Sequence, residues 1–141
     1  MLDDVAMAVM VLNGGSAVPL WNTWLDGLQE VAPEGAEVDT EQLKAMFAHA
    51  LEELADMSGA EVGDKTMMDA VIPASEAIAA YSGDEAGLFE IAAQAAEAGA
   101  ENSKNFVSKF GRAKSYGEKT IGTPDAGAVS MACFFRGLAQ A

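Results

Sequence analysis

Basic residues are scarce in this chain of 141 residues: eight Lys and Arg stand against 22 Asp and Glu, for a formal net charge of −14. Such a surface repels a phosphate backbone, which excludes general nucleic-acid binding as the expected activity. There is one cysteine, Cys133, and one histidine, His49. A single thiol permits neither an internal disulfide nor a cysteine-only metal site. A lone imidazole inside an apolar stripe, with no second His or Cys nearby, reads as structural rather than as a metal ligand or triad member. No apolar run approaches the ~20 residues that span a bilayer, and no basic n-region follows Met1. With no disulfide framework either, the expected location is the cytoplasm, with neither membrane nor nucleic acid as a partner. A Ser-His-Asp set, a Walker-type loop and a dinucleotide fingerprint are all missing, so no catalytic residue is identified.

What is there is helix-forming. Apolar residues make up 50% of the chain, and Ala, Met, Leu, Glu and Gln dominate without a convincing strand. Helices are expected over residues 2–12, 16–31 (Pro19 in its first turn), 40–57, 66–81, 84–110 and 126–138. Asn13-Gly14-Gly15 breaks the first from the second. Asp39 and Gln42 have capping-box spacing, and Ser58-Gly59 closes the third helix. Pro73 predicts a kink or restart. Pro124-Asp125 caps the last helix after a glycine-rich loop. The fold class is all-α: an antiparallel bundle or barrel of about six helices, in one domain over 1–141.

Charge is unevenly spread. The first hundred residues hold 19 acids and two bases, the last 41 three acids and six bases. A solvated basic face explains this, and so does a site for a small anion. Three glycine-bearing stretches, "NGGSAVPL", "GDKTMMDA" and "GRAKSYGEKTIGTPDAG", each open a helix, where unpaired N–H groups and the positive end of the dipole suit a phosphate. Ser16 and Thr66 serve equally as caps or as phosphate donors. Asp125 is an N-cap or an acceptor for a ribose or base. Arg112 suits a bidentate phosphate contact. Met67 and Met68 are core residues or a soft grip on an aromatic base.

These motifs carry a family resemblance. "GDKTMMDAVIPA" is similar to G-D-K-T-M-L-D-A-L-x-P of the DhaL (Dak2) family, the nucleotide-binding subunits of dihydroxyacetone kinases. "GRAKSYGEKTIGTPDAGAVS" resembles, without a gap, that family's G-R-A-S-Y-L-G-E-R-S-I-G-H-x-D-P-G-A-T-S. "GGSAVPLWNT" resembles G-G-A-S-G-P-L-Y-G-T. The order and helical setting match over almost the whole chain. The resemblance implies a barrel of antiparallel helices holding ADP or ATP with magnesium at one end. It implies phosphoryl transfer to dihydroxyacetone on a separate DhaK-like subunit, and in the phosphotransferase version a DhaM-like protein that rephosphorylates the bound ADP. Position by position it implies Gly14, Gly15 and Ser16 at the phosphates, and Gly59, Thr66, Met67 and Met68 around the base. Arg112 is implied at the phosphates or ribose, and Asp125, Ala126 and Gly127 closing the pocket.

The family's acidic loop, G-D-G-D-x-G, lies upstream of its Gly-Gly motif and supplies magnesium-binding aspartates. It has no counterpart in this sequence; Gly83-Asp84 lies elsewhere and lacks a second Asp. No metal ligand is therefore assigned. Magnesium is expected only where another segment supplies carboxylates, and the chain alone is not expected to be a competent kinase. The barrel is expected to be incomplete, its open apolar side covered by a second copy or a partner. Val18 stands where the family has Gly and is expected to narrow the phosphate turn. The competing reading is a truncated or degenerate helical interaction module that keeps the fold without the chemistry.

Overall fold

A computed structural model describes residues 2–12, 14–35 and 37–141, with Asp3 for its backbone alone. The expected break at Asn13 lies outside the described residues. Among those residues the fold is all-α, with six α-helices, two 3-10 segments and no strand. Contacts gather them into two compact units, Met1–Gly59 and Ala60–Ala141.

In the first unit, α2 (Ala17–Glu30) packs against both α1 (Leu2–Met10) and α3 (Thr40–Ser58). The seam of α2 and α3 closes tightly because Gly27 has no side chain. A Cβ there would lie 2.8 Å from the Ala50 Cα, closer than atoms in a packed interior approach. Trp24, Leu25, Leu28, Phe47 and Leu54 fill the space around it. The α3 termini follow their local chemistry. Asp39 accepts from the Gln42 N–H at 2.8 Å while the Gln42 side chain accepts from the Asp39 N–H at 2.9 Å, the reciprocal capping box. Gly59 ends the helix at φ 62°, a left-handed cap natural to glycine. Ser16 makes no side-chain cap to α2.

In the second unit, α5 (Glu85–Asn102) packs against both α4 (Met68–Ala80) and α6 (Ala126–Gln140), and α4 also touches α6. Ala92, Ala93, Ala96 and Ala100 are buried on α5, keeping its buried face thin. Helix α4 is assigned without interruption through Pro73, where a kink or restart was expected. Proline has no N–H, so the Asp69 carbonyl four residues back loses its intrahelical donor. Gly99 of α5 fills the gap: a Cβ there would sit 2.0 Å from that oxygen. Bare Cα–H against a freed carbonyl is the contact that lets the two backbones meet.

Two expectations are corrected downstream. The fifth helix does not run to residue 110; it stops at Asn102 and tightens into a 3-10 turn, Ser103–Asn105. The buried Ser103 hydroxyl donates back to the Ala100 carbonyl at 2.6 Å and accepts from the Asp125 N–H at 2.8 Å. A hydroxyl competing for backbone groups ends a helix in this way. The stretch after Gly111 is not loop throughout: Arg112–Thr120 winds as 3-10 helix, broken at Gly117 (φ 54°, ψ −131°).

Candidate functional site

Two of the three glycine-bearing stretches meet in the second unit. The loop 63–67 is shaped by Asp69, whose side chain is buried. Its carboxylate accepts from the Gly63 N–H at 2.7 Å and from the Thr66 N–H at 2.8 Å. The Thr66 hydroxyl accepts from the Met68 N–H at 3.1 Å, one residue ahead of Met67, the α4 N-cap, which makes no side-chain cap itself. Between them stands Lys65, a side-chain-bearing residue at φ 60°, where only Gly is comfortable. Its side chain is buried, and its Nζ donates to the carbonyls of Ser103 at 2.9 Å and Thr123 at 2.6 Å.

Those carbonyls belong to the segment leading into α6. Asp125 caps α6 by accepting from the Ala128 N–H at 2.9 Å. Gly127 then passes close over Met67: a Cβ there would lie 3.3 Å from the Met67 Cβ and 3.4 Å from its N. Farther out, Lys109 ties the segment to Asp64, by Nζ to the carboxylate at 2.6 Å and by N–H to the carbonyl at 3.1 Å. The Asp64 carboxyl is held below its ordinary range by the Glu61 N–H and by Lys109. The Asp125 carboxyl is pushed up, chiefly by burial and further by Asp69 nearby, against the opposing pull of Ala128 and Gly127 N–H groups and Lys65.

Beside the α6 N-terminus lies a cavity of about 300 Å³, lined by Lys65, Tyr116, Lys119, Thr123, Asp125 and Ala126 among others. It lies at the small end of ligand-pocket sizes. Two ammonium groups, a phenol, a hydroxyl and the positive end of a 15-residue helix are the chemistry that receives an anion.

The residues singled out in the sequence are distributed as follows. Thr66, Met67, Asp125, Ala126 and Gly127 come together around this helix start. Met67 and Met68 are buried, Met68 completely, and so pack the core beneath it. Arg112 is exposed at the head of its 3-10 segment and makes no ion pair among the described residues. Gly14, Gly15 and Ser16 lie exposed in the first unit. The Val18 side chain occupies that turn, its Cγ2 only 2.7 Å from where a Gly14 Cβ would sit. Gly59 is the α3 cap. Lys65, Asp69 and Ser103 were not singled out. The Thr66-x-x-Asp69 spacing resembles a capping box and was a usable signal for Asp69; nothing local marks Lys65 or Ser103.

Among the described residues one group of three offers metal-ligand atoms within 4.8 Å of one another, Glu30, His49 and Glu53. His49 thus has two carboxylate neighbours, Glu53 four residues on in α3 and Glu30 of α2, only the second hidden from its local sequence. Glu30 accepts from it at 2.7 Å and raises its pKa. An imidazole in the set does not suit magnesium, which takes oxygen ligands. Asp69 and Asp125 are committed to backbone N–H groups. The residues described do not assemble a magnesium site. Among them, no helix is long and apolar enough to cross a membrane.

The DAK2 domain family matches residues 1–140. The chain is 31% identical to L-erythrulose 1-kinase of Mycolicibacterium smegmatis over 90% of its length, and spans 22% of that protein. It is 29% identical to the PEP-dependent dihydroxyacetone kinase, ADP-binding subunit DhaL, of Escherichia coli, over 99% of its own length and 68% of that subunit. The dihydroxyacetone kinase of C. freundii is similar in fold in its native form, with a TM-score of 0.68, 29% identity, and coverage of 99% of this chain and 23% of that one. Its complex with AMP-PNP and Mg2+ gives a TM-score of 0.64 at 27% identity, covering 99% and 22%.

Proposed function

Because the chain belongs to the DAK2 domain family, we propose that it is a DhaL-like nucleotide-binding domain, taking ADP or ATP at the α6 N-terminus of its second unit. The observation that carries this is the convergence of residues 63–69 and 103–127 on that helix start, beside a cavity walled by Lys65 and Lys119. A related subunit is named as ADP-binding, and a structure of a related kinase holds AMP-PNP and Mg2+.

In this reading the amides at the start of α6 and Lys119 receive phosphate charge, and Arg112 reaches in from its exposed position to a phosphate or the ribose. Gly127 lets the start of α6 lie close against Met67 beneath the site. Bound nucleotide would supply the phosphoryl group, and a DhaK-like partner would hold the triose acceptor. Recharging of ADP by a DhaM-like phosphotransferase protein is the alternative to exchange with ATP.

Calorimetric titration with ADP, with and without magnesium, tests the reading. Binding in the micromolar to millimolar range that Arg112→Ala weakens supports it; a folded protein giving no heat at millimolar nucleotide refutes it. Following dihydroxyacetone phosphate after mixing with a DhaK-like subunit tests the transfer. A second reading, a non-catalytic helical interaction module, is favoured by the exposed apolar residues Val5, Met7, Met10, Val11 and Leu12. It predicts self-association or partner binding with no nucleotide-dependent rise in Tm.

A further inference from the structure

We propose that Lys65 is a positioning residue: its buried ammonium sets the N-terminus of α6 in the orientation that receives the nucleotide. The inference rests on the nucleotide-binding reading above and adds to it a residue that no ligand contact would reveal.

A buried lysine is ordinarily matched by a carboxylate, because an unpaired charge out of water is unfavourable. Lys65 forms no ion pair among the described residues. Its ammonium bridges two backbone carbonyls from separate segments, Ser103 at the end of α5 and Thr123 two residues before the α6 cap. The Ser103 hydroxyl then accepts from the Asp125 N–H, so one lysine and one serine fix both sides of the α6 entry. The backbone is drawn to the same task. Lys65 sits at φ 60°, and Asp69 holds the flanking Gly63 and Thr66 amides, keeping the loop in a conformation the chain would not choose alone. Strained backbone held by surrounding bonds is a recurrent feature of ligand sites. An ammonium has three donors; two are committed to carbonyls, and Lys65 also lines the cavity beside Asp125 and Ala126. The arrangement is more elaborate than a buried methionine would need for packing.

The test compares the full chain with Lys65→Met and Ser103→Ala by calorimetric titration with ADP, below the Tm of each variant. Hydrogen exchange is followed at the Asp125 and Ala128 amides. We expect each variant to bind ADP at least tenfold more weakly, to exchange those two amides faster, and to leave the α2–α3 amides unchanged. Lys65→Arg, which keeps a buried cationic donor, should recover part of the affinity. A merely structural lysine would lower Tm and leave the dissociation constant of the folded protein unmoved, and that result overturns the proposal. If Lys65→Met does not fold, Ser103→Ala decides alone: unchanged affinity and unchanged Asp125 exchange refute the positioning role. If the unaltered chain fails to bind ADP, the nucleotide reading falls. The exchange comparison then still judges whether Lys65 orders the α6 entry, and equal exchange in Lys65→Met overturns that as well.

Discussion

Replacing Gly99 by alanine sets two well-known effects against each other. In the interior of a helix, alanine is better than glycine by about 1 kcal/mol. At this position, however, the new Cβ would lie 2.0 Å from the Asp69 oxygen, 3.0 Å from its carbonyl carbon and 3.3 Å from the Pro73 Cγ. An ordinary carbon–oxygen contact is about 3.3 Å, so α4 and α5 must part by roughly 1.3 Å where they meet. The obstructing atom is backbone and cannot rotate away. The strain therefore falls near the upper end of overpacking costs, about 3 kcal/mol, and the net loss is about 2 kcal/mol after the propensity gain. For a chain of this size that lowers Tm by roughly 6–10 °C. Gly137→Ala is the matched control. It lies inside α6, nothing stands within 4 Å of its would-be Cβ, and it should gain about 0.5–1 kcal/mol. Thermal melts and urea titrations of both variants give the answer. If Gly99→Ala melts at or above the unaltered protein while Gly137→Ala gains as expected, the account of Pro73, Asp69 and Gly99 is wrong.

Three further outcomes follow from the same geometry. Asp39→Ala removes the α3 capping box and should lose about 1 kcal/mol in urea denaturation, with Asp39→Asn largely neutral. The His49 pKa is raised above its ordinary 6.5, chiefly by its bond to Glu30. Its contribution is therefore complete below the ordinary histidine range and lost as pH rises through the raised value; Glu30→Gln should lower Tm at pH 6 and have little effect at pH 9. Burial raises the Asp125 carboxyl, so the folded state holds its proton more tightly than the unfolded chain does and loses stability as pH rises from the ordinary carboxylate range through the raised value. Asp125→Asn keeps a capping oxygen and should melt no lower than the unaltered chain at pH 7, with any advantage vanishing near pH 3.

How much of this was legible in the sequence varies with the range of the forces involved. The α3 limits were legible because Asp39, Gln42 and Gly59 act within four residues of themselves, and the α6 start because Asp125 caps the helix it precedes. The end of α5 was not, since residues 101–110, ENSKNFVSKF, hold no Gly or Pro to stop a helix, while Ser103 is claimed by Asp125, 22 residues away. Lys65 was passed over for the same reason: its partners are 38 and 58 residues distant. Of the two carboxylates beside His49, Glu53 is four residues away in the same helix, and only Glu30 lies on another. The motif residues were recognisable by resemblance, but Met68 turned out to be completely buried beneath the helix start.

Propensity, caps and motif spacing make this chain legibly helical, mark where most of its helices begin and carry its family resemblance, because they are local properties of neighbouring residues. The meeting of Gly99 with the carbonyl freed by Pro73, and the hold of a buried lysine and serine on the start of α6, emerge only in the folded chain. Those contacts join residues far apart in the chain, and a buried polar group reveals its use only once its hydrogen-bond partners are known.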